Sequence, residues 1–228
     1  AKFPKVMRNT GGYRLDDVLA QLRQSTPETN DAVNLAQFLA GSEGTLALMS
    51  EATVRIVERP TRVRLAVFGF HSVGEACAHV ERLVASGAAA VELMDGTIIS
   101  GAASQPVYER DVALLPRMDG ELPGTVLLVE YHDDQCDGVA EGANRCVYDD
   151  AADQRRLWNV RKVGLGIISA SPGPKHAIQG LEDCAVPLER LVEFQTRFVE
   201  LMKAHSTDGV FYAHASVGLL HVRPRFDL

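Results

Sequence analysis

Val63-Arg64-Leu65-Ala66-Val67-Phe68, followed by Ser72-Val73-Gly74-Glu75 and the apolar set Ala76, Val80, Leu83 and Val84, decides the fold. Alternation in the first six residues predicts a strand with one covered face. Ser72 and Glu75 form a capping box, and the helical spacing behind them runs to a stop at Gly87. Ala89 to Met94 reads as the next strand. A strand, a helix and a strand with short connections imply a layered sheet-and-helix domain.

Toward the C-terminus, Gly101 to Met118 reads as helical pieces and Gly124 to Tyr131 as a strand. Asp133 to Asn144 is loop-like, and Ala151 to Ile168 is a helix. After a Gly- and Pro-rich loop over 171–174, Glu182 to Val186 forms a short strand, and Pro187 suits a first helical position. Leu188, Leu191, Gln195, Phe198 and Met202 then mark one stripe of an amphipathic helix. Val210 to His214 and Leu219 to Arg223 are strands around a turn at Ala215 to Gly218. Toward the N-terminus, Leu15, Val18, Leu19 and Leu22 repeat at helical spacing, Leu35 to Leu39 is a short helix, and Thr53 to Val57 has the β-branched alternation of a strand. Pro60 marks a boundary. The fold class expected is α+β: a mainly antiparallel sheet with helices packed on one face over 61–228, preceded by a separate piece over 1–60.

Composition narrows the function. Hydrophobic residues make up 46% of the 228, which excludes a disordered or fibrous chain. The 23 basic residues against 30 acidic ones give a net charge of -7, so the chain lacks the basic footprint of a nucleic-acid binder. No apolar stretch is long enough to cross a bilayer. Cys77, Cys136, Cys146 and Cys184 form no C-x-x-C pair, which argues for free thiols in a reducing cytoplasm rather than a metal or disulfide framework. The expected location is cytoplasmic, with peripheral attachment to an inner membrane as the alternative. The chain opens on Ala1 without an initiator Met and stops at Leu228 just past its richest motif, so it reads as a piece of a longer protein.

Three constellations can carry chemistry. His214 and His221 are separated by six residues, and a turn between them lets both imidazoles face one site. Two neutral imidazoles can share a metal such as zinc, although two unrelated histidines at strand ends are the commoner case for such spacing. In Trp158-Asn159-Val160-Arg161, a helix places Arg161 with Trp158 and Leu165 beside the apolar stripe Leu157, Val160, Gly164 and Ile168. A guanidinium held there suits a carboxylate, whereas most single arginines are surface residues. Gly41-Ser42-Glu43-Gly44 allows a ligand close to the backbone, though most such loops are turns. Glu182-Asp183 reads as a solvated acidic pair.

In order, Arg8-Asn9-Thr10-Gly11-Gly12-Tyr13-Arg14-Leu15, Gly41-Ser42-Glu43-Gly44-Thr45-Leu46, Trp158-Asn159-Val160-Arg161, Glu182-Asp183-Cys184-Ala185-Val186-Pro187 and Tyr212 to Pro224 resemble the FAD-linked oxidases of the vanillyl-alcohol-oxidase superfamily. The C-terminal part is most similar to D-lactate, glycolate and D-2-hydroxyglutarate dehydrogenases, in a bacterial branch that also carries an iron–sulfur region. The resemblance implies that 1–60 ends an FAD-binding domain and that 61–228 is a truncated substrate domain of ferredoxin-like character. It implies FAD contacts at Gly12, Tyr13, Gly41, Ser42, Glu43 and Gly44, and a substrate-carboxylate contact at Arg161. It implies a divalent metal, zinc or manganese, at His214 and His221. Arg223 stands where relatives carry Asn and would add a second carboxylate contact. Leu219-Leu220 replaces the family's Gly-Asn, and the 130–158 stretch is short.

The implied activity is oxidation of a D-2-hydroxy acid by hydride transfer to flavin. Electrons would then pass to an iron–sulfur region, a quinone or another carrier, and the assembly could be a homodimer. The alternatives are a metal-independent FAD oxidase of another alcohol and a non-catalytic binding module.

Overall fold

A computed structural model describes residues 5–9, 12–25, 33–139, 142–170, 174–180 and 182–227; the Leu165 side chain, grouped above with Trp158 and Arg161, lies outside the described residues, as do Thr10, Gly11 and 171–173. The chain divides into two compact units, Ala1–Glu58 and Arg59–Leu228.

The first unit holds α1 (Leu15–Gln24) and α2 (Ala36–Ala40), both where apolar spacing puts them. Thr53 to Val57 differs from expectation. No strand covers it among the described residues, and Val54, Ile56 and Val57 are exposed. β-Branched alternation favours extended backbone, but a strand also needs a partner for its N–H and C=O groups. None of the described strands pairs with this segment.

The second unit is built on one sheet. Its elements are β1 (Val63–Phe70), α3 (Val73–Ala85), β2 (Ala90–Asp95), α4 (Gly96–Ala103), α5 (Glu109–Val112), β3 (Thr125–His132), β4 (Arg145–Tyr148), α6 (Ala151–Ser169), β5 (Lys175–Ala177), β6 (Cys184–Ala185), α7 (Leu191–Ala204), β7 (Asp208–His214) and β8 (Leu219–Asp227). Strand order is β4-β1-β3-β2-β7-β8-β5, with β6 paired to β8. The strand pairs are antiparallel. β3 lies between β1 and β2, so α3 joins two strands of like direction across a third, the split β-α-β arrangement of ferredoxin-like domains. At the start of α3 the Ser72 hydroxyl accepts from the Glu75 amide, and the Glu75 carboxylate accepts from the His71 amide, one residue before the cap.

The antiparallel sheet agrees with expectation, but helices cover both of its faces. Ala66, Phe70, Val91, Leu93, Leu127, Val129, Phe211 and Val222 pack with α3 and α7. The alternate residues Leu65, Val67, Met94, Val126, Leu128, Val210 and Tyr212 pack with α4, α5 and α6. The physical reason is visible in Val126-Leu127-Leu128-Val129. A run with no polar alternate residue must be buried on both sides. β4 and β5 are short edge strands to which the sequence pattern assigns no element.

Asp95 locks the second layer. It ends β2, caps α4 by accepting from the Thr97 and Ile98 amides at 3.0 and 3.3 Å, and accepts from the Phe211 amide on β7 at 2.7 Å. Burial raises its carboxyl to about 6, against the lowering effect of those three amides. The folded chain therefore keeps a proton that the unfolded chain releases near pH 4. Stability from this group is full below that pH and is lost as pH rises through 6. Urea unfolding of wild type and Asp95→Ala should show the wild-type advantage shrinking by about 3 kcal/mol between pH 4 and pH 7. A pH-independent difference contradicts this reading.

Candidate functional site

The hairpin of β7 and β8 supplies half of the site. A 3-10 turn, Ala215–Val217, leads into Gly218, whose φ is 69°. A Cβ at Gly218 would lie 2.0 Å from the Val186 carbonyl oxygen, so only glycine fits this left-handed position. The register opposes Tyr212 to His221, Val210 to Arg223 and His214 to Leu219. Tyr212, His214, His221 and Arg223 therefore share one face. The two histidines are diagonal neighbours rather than directly opposite, with ring centroids 5.2 Å apart.

Helix α6 supplies the other half. Asp150 caps it through the Ala152 and Asp153 amides, and Leu157, Val160 and Ile168 are buried toward the sheet. Gln154 fastens the helix by donating to the Val63 and Tyr148 carbonyls. Close packing against α4 requires a glycine on the neighbour, since a Cβ at Gly101 would lie 2.3 Å from the Ile167 side chain. The helix then carries Arg161 over the sheet, with its guanidinium carbon 5.1 Å from the Tyr212 ring centroid. Arg223 stands 5.8 Å from the same centroid, and His221 stacks on that ring at 4.5 Å.

Carboxylates neutralise these cations. Glu92 of β2 meets the Arg161 Nη2 at 3.0 Å through one oxygen and the His214 Nδ1 at 2.7 Å through the other. A carboxylate can only accept, so the His214 Nδ1 carries a proton toward Glu92. Arg223 is ion-paired with Glu182. Asp183, whose φ is 62°, stands 3.1 Å from the His221 Nδ1 without hydrogen-bond alignment. Burial lowers His221 to about 4, the His214 and Arg161 charges add to that, and Asp183 and Glu182 oppose it. His221 is thus a neutral imidazole near pH 7. The Nε atoms of Arg161 and Arg223 are both buried and have no hydrogen-bond partner among the described residues. Two guanidinium groups beside one aromatic ring form a cationic centre that suits a carboxylate.

Arg161, Arg223, His214 and His221 are therefore brought together from three elements. Among the described residues no group of three His, Cys, Asp or Glu side chains could hold a metal. Three members of the cluster escaped the sequence reading. Glu92 interrupts the apolar run Ala90-Val91-Leu93-Met94, which is the signal that could have found it. Tyr212 was read only as part of a strand and of the Tyr212 to Pro224 motif. Glu182 was taken as solvated, yet it faces a nearly fully buried guanidinium, since the Arg223 side chain is only 4% exposed.

The first unit joins the other two motifs. The Tyr13 hydroxyl is 2.7 Å from the Thr45 Oγ1, and its ring packs on Phe38. This brings Gly12 and Tyr13 to the loop of Gly41, Ser42, Glu43 and Gly44. Gly12, Glu43 and Gly44 have positive φ, and a Cβ on either glycine would meet nothing within 4 Å. The backbone there is open to a ligand.

Comparison with known proteins adds the relationship. A family model described as FAD linked oxidases, C-terminal domain, matches residues 59–228. The chain is similar to D-2-hydroxyglutarate dehydrogenase of Pantoea ananatis, 28% identical over 248 residues that cover 100% of this chain and 23% of that protein. It is 27% identical to D-2-hydroxyglutarate dehydrogenase of Escherichia coli, over 99% of this chain and 23% of that protein. It is 25% identical to the mitochondrial D-lactate dehydrogenase [cytochrome] of Kluyveromyces lactis, over 90% of this chain and 37% of that protein. The chain thus spans about a quarter of the first two relatives. No described helix is long and apolar enough to cross a membrane.

Proposed function

Because the chain belongs to the family of FAD linked oxidases, C-terminal domain, we propose that it is the substrate-binding part of an FAD-dependent dehydrogenase of D-2-hydroxy acids. The candidates are D-2-hydroxyglutarate, D-lactate and glycolate, and the names of the relatives favour the first two. The observation that carries this reading is the joint placement of Arg161 and Arg223 beside Tyr212, with both imidazoles on the same face.

Arg161 binds the carboxylate next to the reacting carbon, and Arg223 faces any second carboxylate. His214 and His221 lie where the hydroxyl is held. Both rings turn their Nδ1 edges toward carboxylates, Glu92 hydrogen-bonded to His214 and Asp183 close to His221, and a carboxylate behind the ring suits a metal-binding histidine. The two imidazoles would hold a divalent metal such as zinc or manganese only together with ligands beyond these two. Such a metal supplies acidification of the hydroxyl. FAD supplies the electron sink, and the open backbone at Gly12 and Gly44, with Tyr13, Gly41, Ser42 and Glu43, fits contact with it. The piece over 1–60 belongs in this reading to the FAD-binding domain and 61–228 to the substrate domain. The acceptor of the electrons would be an iron–sulfur region, a quinone or another carrier.

The test is direct. The full-length protein should show a flavin spectrum that bleaches anaerobically with a D-2-hydroxy acid and not with its L-enantiomer. A flavin that no member of a D-2-hydroxy-acid panel bleaches contradicts the proposal.

A further inference from the structure

We propose that Glu92 is a positioning residue whose single carboxylate fixes both the guanidinium of Arg161 and the proton-bearing nitrogen of His214. The inference rests on the hydroxy-acid reading above and adds a residue to it.

Glu92 sits on β2, a strand inside the sheet, opposite Leu128 on one side and His214 on the other. Its side chain is 12% exposed, and that of Arg161 is 13%. A carboxylate so placed on a rigid strand has little freedom to leave. Each oxygen is spent on a different partner, one 3.0 Å from the Arg161 Nη2 and one 2.7 Å from the His214 Nδ1. The bond to His214 fixes which ring nitrogen is free to act, and the bond to Arg161 fixes where the guanidinium lies. One group therefore sets the distance between the carboxylate clamp and the imidazole pair. That distance must match the separation of the carboxylate and hydroxyl on the substrate.

The test uses Glu92→Gln, Glu92→Asp and Arg161→Met in the full-length protein. Gln is isosteric but keeps only one acceptor oxygen. Asp keeps the charge but is one methylene too short to meet both partners, and it serves if the Gln variant does not fold. KM and kcat are measured with D-2-hydroxyglutarate and D-lactate, and Zn2+ affinity is measured by competition with a chromophoric chelator. The expected result is a rise in KM of about tenfold or more together with a loss of zinc affinity of about 10- to 100-fold. In the Arg161→Met background Glu92→Gln should no longer raise KM, because that effect runs through the guanidinium, while the loss of zinc affinity, which runs through His214, should remain. Unchanged KM and zinc affinity, with or without a fall in Tm, overturn the proposal while Arg161→Met stays impaired. An Arg161→Met variant with full activity overturns the underlying reading instead.

Discussion

Arg161→Met in the full-length protein should lower kcat/KM for a D-2-hydroxy acid by about 10²- to 10³-fold, the equivalent of losing a paired, charge-assisted contact of about 3–4 kcal/mol. The substitution keeps an unbranched apolar stem beside Val160, so the helix and its packing survive. It removes the only guanidinium that α6 brings to the Tyr212 ring among the described residues. It also leaves the Glu92 carboxylate without its cation, and a second negative charge then meets the substrate carboxylate where a positive one stood. Arg223 cannot compensate from its own place, because it comes from β8 and approaches the Tyr212 ring separately from Arg161. Steady-state kinetics with unaltered flavin content checks the prediction, and a change below tenfold refutes the clamp.

Gly218→Ala should be the most damaging small substitution in the hairpin. The new Cβ would stand 2.0 Å from the Val186 carbonyl oxygen, at a φ of 69°. The left-handed backbone costs about 1–2 kcal/mol for a residue with a Cβ. The overlap with backbone adds about 1–3 kcal/mol, since neither strand can yield without moving β6 from β8. Gly120→Ala is the control, with φ of 85° and nothing within 4 Å of its Cβ, so it should cost only the conformational part. Urea unfolding of both variants separates the two contributions. Equal losses at the two positions would show that the contact with Val186 is not formed.

Local patterns made much of this domain legible. Alternation in Val63 to Phe68, the capping box at Ser72, and the 3.6-residue spacing from Leu157 to Ile168 each depend on near neighbours only. β4 and β5 left no such trace, since four half-buried residues at an edge and the three residues Lys175–Ala177 carry no periodicity. Thr53 to Val57 shows the converse, a strand-like pattern without a pairing partner. Arg161, His214 and His221 stood out as candidates by residue type and spacing and Arg223 through the family resemblance alone, and the fold places the four in one cluster. Glu92 did not stand out, because its meaning comes from partners on α6 and β7 that only the folded sheet brings near. The histidines' diagonal placement depends on the exact length of the turn, which residue spacing alone leaves open.

A crystal structure of the full-length protein with a D-2-hydroxy acid bound tests the central claim most directly. The carboxylate should lie within about 2.7–3.2 Å of the Arg161 guanidinium, with the hydroxyl on the side of His214 and His221. A substrate bound with its carboxylate away from Arg161, or with both imidazoles on the far side of the molecule from its hydroxyl, would contradict it.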